Sequence, residues 1–210
     1  MPVSSRTPMR RRRALTATVT TVGLLVALAG CTGDPAPQQP TAEPTAESTP
    51  LTDYDTSGLT LTPDDFCARV AEPAVMAALD GEATGTDTWQ PGRRLPGSRD
   101  ISDEFGCSWQ GSSATARAWV FAPPVSPQRA RDFVRETPGQ GCERLTAAAD
   151  LGSPSVAQQC PDADGRTGVY GLVGSAWVAC ELSGLRGSRE ERAARVGEWC
   201  VAVLEALRTA

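Results

Sequence analysis

The pattern of hydrophobic and polar positions divides the 210-residue chain into three stretches. An apolar run extends from Ala14 to Ala29, broken only by Thr16, Thr18, Thr20 and Thr21. Residues 32 to about 58 offer almost nothing to bury and carry Pro35, Pro37, Pro40, Pro44 and Pro50 among Thr, Glu, Gln and Ala. From there on the pattern alternates between helical and strand periods. Thr62-Pro63-Asp64-Asp65 has helix-start chemistry, with Phe66, Cys67 and Val70 as the buried side of a short helix. Pro73 opens a second helix with Val75, Met76 and Leu79 inward, stopped at Gly81. Phe105, Cys107 and Trp109 alternate with polar neighbours as a strand with one buried face; Gly111-Ser112-Ser113 turns the chain, and Thr115 to Ala122 returns beside it. Thr86 to Gln90 adds an edge strand, and Pro91 to Glu104 reads as a long loop. Ser126-Pro127 starts the next helix, with Ala130, Phe133 and Val134 at core spacing and Pro138-Gly139 at its end. Glu143 to Ala148 and Ser155 to Cys160 read as short strands. Thr167 to Val173 and Ala176 to Leu182 form a hairpin about Gly174-Ser175. Ser188-Arg189-Glu190-Glu191 is a capping box, followed by the stripe Val196, Cys200, Val203, Leu204 and Leu207. This order predicts an α+β domain whose mostly antiparallel sheet is covered by helices on one side.

The first stretch sets the expected location. Arg10 to Arg13 precede the apolar run, which ends in Leu28-Ala29-Gly30-Cys31, the charged, apolar, small order of a bacterial lipoprotein signal. About sixteen weakly apolar residues fall short of the roughly 20 that span a bilayer. Residues 1–30 are therefore expected to be a signal peptide, 31–58 an acylated Cys31 and a disordered Pro/Thr-rich tether, and 59–210 the globular domain. Acylation, with palmitate-type chains and a diacylglyceryl group, would hold the protein on the extracytoplasmic face of the cell membrane. Arg11-Arg12-Arg13-Ala14-Leu15 also fits a loose twin-arginine pattern, so the export route stays open, as does O-glycosylation of the tether.

Removing residues 1–30 takes away five arginines and no acid, leaving 15 basic against 25 acidic side chains and a formal charge of -10. Such a surface repels nucleic-acid phosphates, so no nucleic-acid partner is expected. The chain has no histidine and no lysine. That removes His-based triads, imidazole bases, most zinc sites, Schiff bases and a P-loop, and no cofactor or metal is expected. Beside Cys31, the cysteines Cys67, Cys107, Cys142, Cys160, Cys180 and Cys200 form an even set, most economically three disulfides in an oxidising compartment. Six cysteines allow fifteen pairings, and spacing does not choose among them.

Candidate chemistry is sparse. Asp162-Ala163-Asp164-Gly165 opens like a calcium loop but lacks the third acid and the closing glutamate, so it reads as a turn. Asp100, Asp103 and Glu104 are the acids to watch for carboxylate hydrolysis, though such clusters more often solvate a loop. Arg93, Arg94 and Arg99 form the densest basic group, either a clamp for an anionic ligand or partners of those acids. Trp119 and Trp177 sit in strands where one face is often wet and are candidates for lining a glycan or acyl groove, with core packing the commoner fate. The reading is a non-enzymatic envelope lipoprotein that binds a protein, glycan or lipid ligand or supports a partner. An apolar-ligand carrier is the alternative, and a carboxylate hydrolase comes third.

With Asp65-Phe66-Cys67 opening the domain, Phe105-Gly106-Cys107-Ser108-Trp109 in its first hairpin and Cys200-Val-Ala-Val-Leu-Glu-Ala-Leu in its last helix, the chain resembles an actinobacterial secreted lipoprotein family, domain of unknown function 3558. The resemblance covers roughly residues 60 to 208 and implies a lipobox, a Pro/Thr tether and one domain of this kind. It also implies a disulfide between Cys67 and Cys107 and one anchoring the terminal helix, Cys180 with Cys200. Cys142 and Cys160 depart from the minimal pattern and are the pair left over. The family brings no established activity.

Overall fold

A computed structural model describes residues 49–146, 148–161 and 165–208. The signal, Cys31, tether residues 32–48 and Asp162 to Asp164 lie outside the described residues. Among the described residues no helix is long and apolar enough to cross a membrane.

The chain forms α1 (Glu72–Leu79), β1 (Gly85–Trp89), β2 (Glu104–Gln110), β3 (Thr115–Phe121), α2 (Pro127–Glu136), β4 (Glu143–Arg144), β5 (Ser155–Gln159), β6 (Thr167–Val173), β7 (Ala176–Ser183) and α3 (Arg189–Leu207). The strands make one seven-stranded sheet in the order β1-β2-β3-β7-β6-β5-β4. Every neighbouring pair is antiparallel, as the α+β reading requires. The two central strands, β3 and β7, join an amino-terminal meander to a carboxy-terminal one.

Because side chains alternate across a strand, the register fixes which residues share a face. One face presents Cys107, Trp109, Ala118, Val120, Cys180 and Leu182, and α1 and α3 pack on it to form the main core. Trp199 of α3 meets Trp109 edge to face at 5.2 Å, and its indole N–H donates to the Arg117 carbonyl at 2.9 Å. Phe66, Leu79 and Leu204, none more than 1 % exposed, fill the space beside them. The opposite face presents Trp119, Phe121, Trp177, Ala179, Tyr170 and Leu172. Here α2 covers β5 and β6 through Ala130, Phe133 and Val134. Helical cover on one side thus describes α1 and α3, while α2 crosses to the second face, carried there by the chain between β3 and β4.

Capping chemistry explains where α2 and α3 start. Ser126 Oγ accepts from the Arg129 N–H, and Ser188 and Glu191 complete the reciprocal capping box. The first predicted helix forms only a 3-10 turn, Phe66–Arg69, preceded by Asp65 in the left-handed region rather than capped by Thr62. Arg69 supplies the order instead, donating to the carbonyls of Thr62, Asp64 and Ala206. In α1 the inward residues are Val75, Ala78 and Leu79; Met76 faces out at 41 % exposure. The strand expected from Glu143 to Ala148 is paired only at Glu143 and Arg144. Order also begins before residue 59: Leu51 is buried against Gly197 of α3, and the Tyr54 hydroxyl donates to Glu205 at 2.7 Å.

Two disulfides staple the domain, Cys67–Cys107 between the 3-10 turn and β2, and Cys142–Cys160 between the segment before β4 and the end of β5. Cys180 and Cys200, expected as a third bridge, are instead free thiols facing one another between β7 and α3, both fully buried. Burial, with Cys180 alongside, pushes the Cys200 thiol well above its ordinary range, the opposite of what a reactive thiolate needs.

Candidate functional site

The second face of the sheet holds the residues with ligand-binding character, and the strand register lines them up in rows. One row runs Trp89, Gly106, Trp119, Ala179, Tyr170 and Val156 across β1, β2, β3, β7, β6 and β5. Aromatic and small residues alternate in it, so each ring has room to lie over a neighbour that lacks bulk. Trp89 does this at Gly106, where an added Cβ would fall 2.2 Å from the indole ring. Tyr170 does it on the diagonal at Gly168, where a Cβ would fall 2.3 Å from the phenol oxygen. Trp119 stands 6.1 Å from the Tyr170 ring and, like Trp89, keeps part of its surface in solvent.

The adjacent row is polar: Asp87, Ser108, Arg117, Glu181, Gly168 and Gln158. At its β5 to β7 end the groups are buried and satisfy one another. Gln158 donates to the Tyr170 hydroxyl at 2.8 Å, Tyr170 donates to Glu181, and Arg166 lies 3.9 Å from the same carboxylate. The Gly139 N–H donates to Gln158 Oε1 at 3.0 Å and ties in the segment after α2. Burial, with the Glu181 charge beside it, pushes the Tyr170 hydroxyl far above its ordinary range, so it stays a donor. At the β1 to β3 end Asp87 and Arg117 are exposed, and Gln110 donates to Asp87 at 3.2 Å and to Ser108 at 3.1 Å.

Of the candidates from sequence, Trp119 belongs to this face and keeps solvent access. Trp177 does not: it is 4 % exposed, 5.1 Å from Phe133, and serves as core beneath α2. Arg93, Arg94 and Arg99 lie on an arm beyond the β1 to β2 edge. This is not an irregular loop but a continuation of the hairpin, with Arg94 bridged to Ile101 and the Leu95 N–H donating to the Asp100 carbonyl at 2.9 Å. All three arginines are exposed, and among the described residues none forms a salt bridge, with Asp100 and Asp103 or otherwise. Asp100 instead accepts from Ser98 at 2.7 Å. Glu104, half-buried at the start of β2, has its carboxyl pushed up by burial, against the pull of the Trp89 indole and with Asp103 adding to it.

Trp89, Tyr170, Glu181 and Gln158 are not singled out by the sequence reading. Their signal is parity. Glu181 and Gln158 are polar positions on strands flanked by buried ones, and Trp89 sits at the end of a strand whose partner carries a glycine opposite. Compared with protein-family models and with curated proteins, the chain matches none.

Proposed function

We propose that this chain is an exported lipoprotein, held at the extracytoplasmic face of the cell membrane by acylated Cys31, that binds an envelope component without catalysis. The observation that carries the reading is the pair of staples Cys67–Cys107 and Cys142–Cys160 in a domain that follows a lipobox-like Leu28-Ala29-Gly30-Cys31. Disulfides persist in exported proteins and are rare where thiols are kept reduced. The lack of histidine and lysine supports a binding role over most catalytic ones. The packing of Trp109, Trp199 and Phe66 between sheet and helices supports surface binding over carriage of an apolar ligand inside the domain. The likeness to domain of unknown function 3558 belongs to the same proposal, and the Cys67–Cys107 bridge supports it.

The test is metabolic labelling of the full chain with an alkyne fatty acid in a bacterial host, beside Cys31→Ala. The expected result is label and membrane retention for the first and neither for the second. Unlabelled full chain, recovered with its signal intact or secreted free, overturns the reading.

A further inference from the structure

We infer that the solvent-facing half of the second sheet face, over β1 to β3, is a carbohydrate-binding surface, where rings of a neutral envelope glycan stack on Trp119 and Trp89 while Asp87, Gln110 and Arg117 hydrogen-bond their hydroxyls. The inference rests on the extracytoplasmic reading for which ligand is within reach, and on the geometry for the site itself. The helix α2 covers β5 and β6 on this face, and Phe133 closes over Trp177 and Phe121. Trp119 borders that cluster and remains partly exposed, and Trp89 lies beyond it on the edge strand.

Two features make this a stacking platform rather than surplus core. Gly106 between the two tryptophans has no side chain, and the Trp89 ring lies close against it while part of its surface stays in solvent. With neighbouring strands about 4.8 Å apart, Trp89 and Trp119 are anchored about 10 Å from one another on one straight row. Along that row runs a line of donors and acceptors of both signs: the Asp87 carboxylate, the Gln110 amide and the exposed Arg117 guanidinium.

The chemistry of the pair of rows selects the ligand. An acyl chain would take the Asp87 and Arg117 charges out of water, with only the Gln110 amide donating to the first, at the cost of several hydrogen bonds. A phosphate-rich polymer meets an acidic domain in which, among the described residues of β1 to β3, Arg117 alone is there to receive it. A sugar ring has an apolar C–H face for an indole and an edge of hydroxyls that both donate and accept, and it matches both rows at once.

The experiment uses the full chain purified in detergent and insoluble cell wall of the source bacterium stripped of protein and lipid. Co-sedimentation is measured at low and high salt, with free oligosaccharide fragments of the same wall as competitors. The expected result is retention that salt barely weakens and fragments reverse, because the contacts are stacking and hydroxyl bonds rather than counter-charge. Trp119→Ala and Trp89→Ala each weaken it roughly tenfold or more. The triple change Arg93→Ala, Arg94→Ala, Arg99→Ala leaves it unchanged. Far-ultraviolet circular dichroism and a melting curve show that each variant is folded, and Trp119→Phe, which restores a ring, recovers part of the retention. No retention of the wild-type chain overturns the inference, and so does retention that survives both tryptophan changes or is lost with the arm arginines. Wall retention by wild-type protein that carries no acyl label would sink the membrane-anchor reading alone, whereas normal acylation without wall retention would sink this inference alone.

Discussion

The two faces of the sheet are built from the same strands to different ends. Toward α1 and α3 the strands β2, β3, β7 and β6 give mainly small or apolar residues, and the packing closes around Trp109 and Trp199. Toward α2 the same strands give an aromatic row and a charged row, and the helix covers only part of both. The first face is where burial of apolar surface holds the domain together. The second spends burial on polar groups that must then be hydrogen-bonded, as Gln158, Tyr170 and Glu181 are. A sheet therefore does not need a cavity to offer a site. It is enough that its second face is left unevenly covered.

The contrast can be tested from its strongest side first. Trp199→Ala on the first face should cost about 3–5 kcal/mol, read from chemical denaturation, because it opens a hole beside Trp109 and removes a donor from Arg117. Trp119→Ala on the second should cost less, roughly 1 kcal/mol, since that ring keeps part of its surface in water whereas Trp199 is buried. Equal costs would erase the distinction between the faces. Replacing Cys67 and Cys107 together by serine should cost about 4 kcal/mol, and replacing Cys142 and Cys160 about 3 kcal/mol, because the loop-closure entropy grows with the logarithm of the chain each bridge closes. The same denaturation curves rank the two.

Within the second face, Tyr170→Phe should cost about 1–3 kcal/mol by leaving Glu181 buried without its donor. A neutral result would mean that the buried network is dispensable and that α2 alone holds this side. The mildest test is alkaline titration. Both tyrosines of the chain are raised from the ordinary value of 10.0, Tyr54 to about 12 by burial and by Glu205, and Tyr170 further. The neutral phenols are thus favoured in the folded state. Their contribution is complete below pH 10 and is lost as pH rises toward and beyond 12, because the unfolded chain releases those protons first. Phenolate absorbance should stay low past pH 10 and rise together with loss of the folded signal. Ordinary titration of both tyrosines in folded protein would contradict the packing described for them.

The local grammar of the chain carried most of the fold. Period-two alternation at Phe105, Cys107 and Trp109, the turn at Gly174-Ser175 and the capping box at Ser188 each become the element they predict. What the pattern did not carry is long-range. Which face α2 takes depends on the path of the chain after β3, and Phe133 and Val134 have the same spacing on either side. Arg69 holds the entry to the domain through the Ala206 carbonyl, a partner 137 residues away that helix-start residues cannot announce. The same limit applies to the site. Trp119 and Trp177 look alike in sequence, each in a strand among apolar neighbours, and only the cover supplied by α2 makes one core and leaves the other in contact with solvent. The row from Trp89 to Tyr170 exists only through the register of five strands.

The ends of the folded domain meet: Leu61 bridges to Arg208, and the Thr62 N–H donates to the Leu207 carbonyl at 2.7 Å. A force pulling on the amino-terminal side is met first by Leu51 and Tyr54 against α3, then by these bonds and by Arg69. Peeling then halts a few residues further on, at Cys67, whose bond to Cys107 delivers the load into β2. The rest of the domain is thereby shielded from unzipping from its front end.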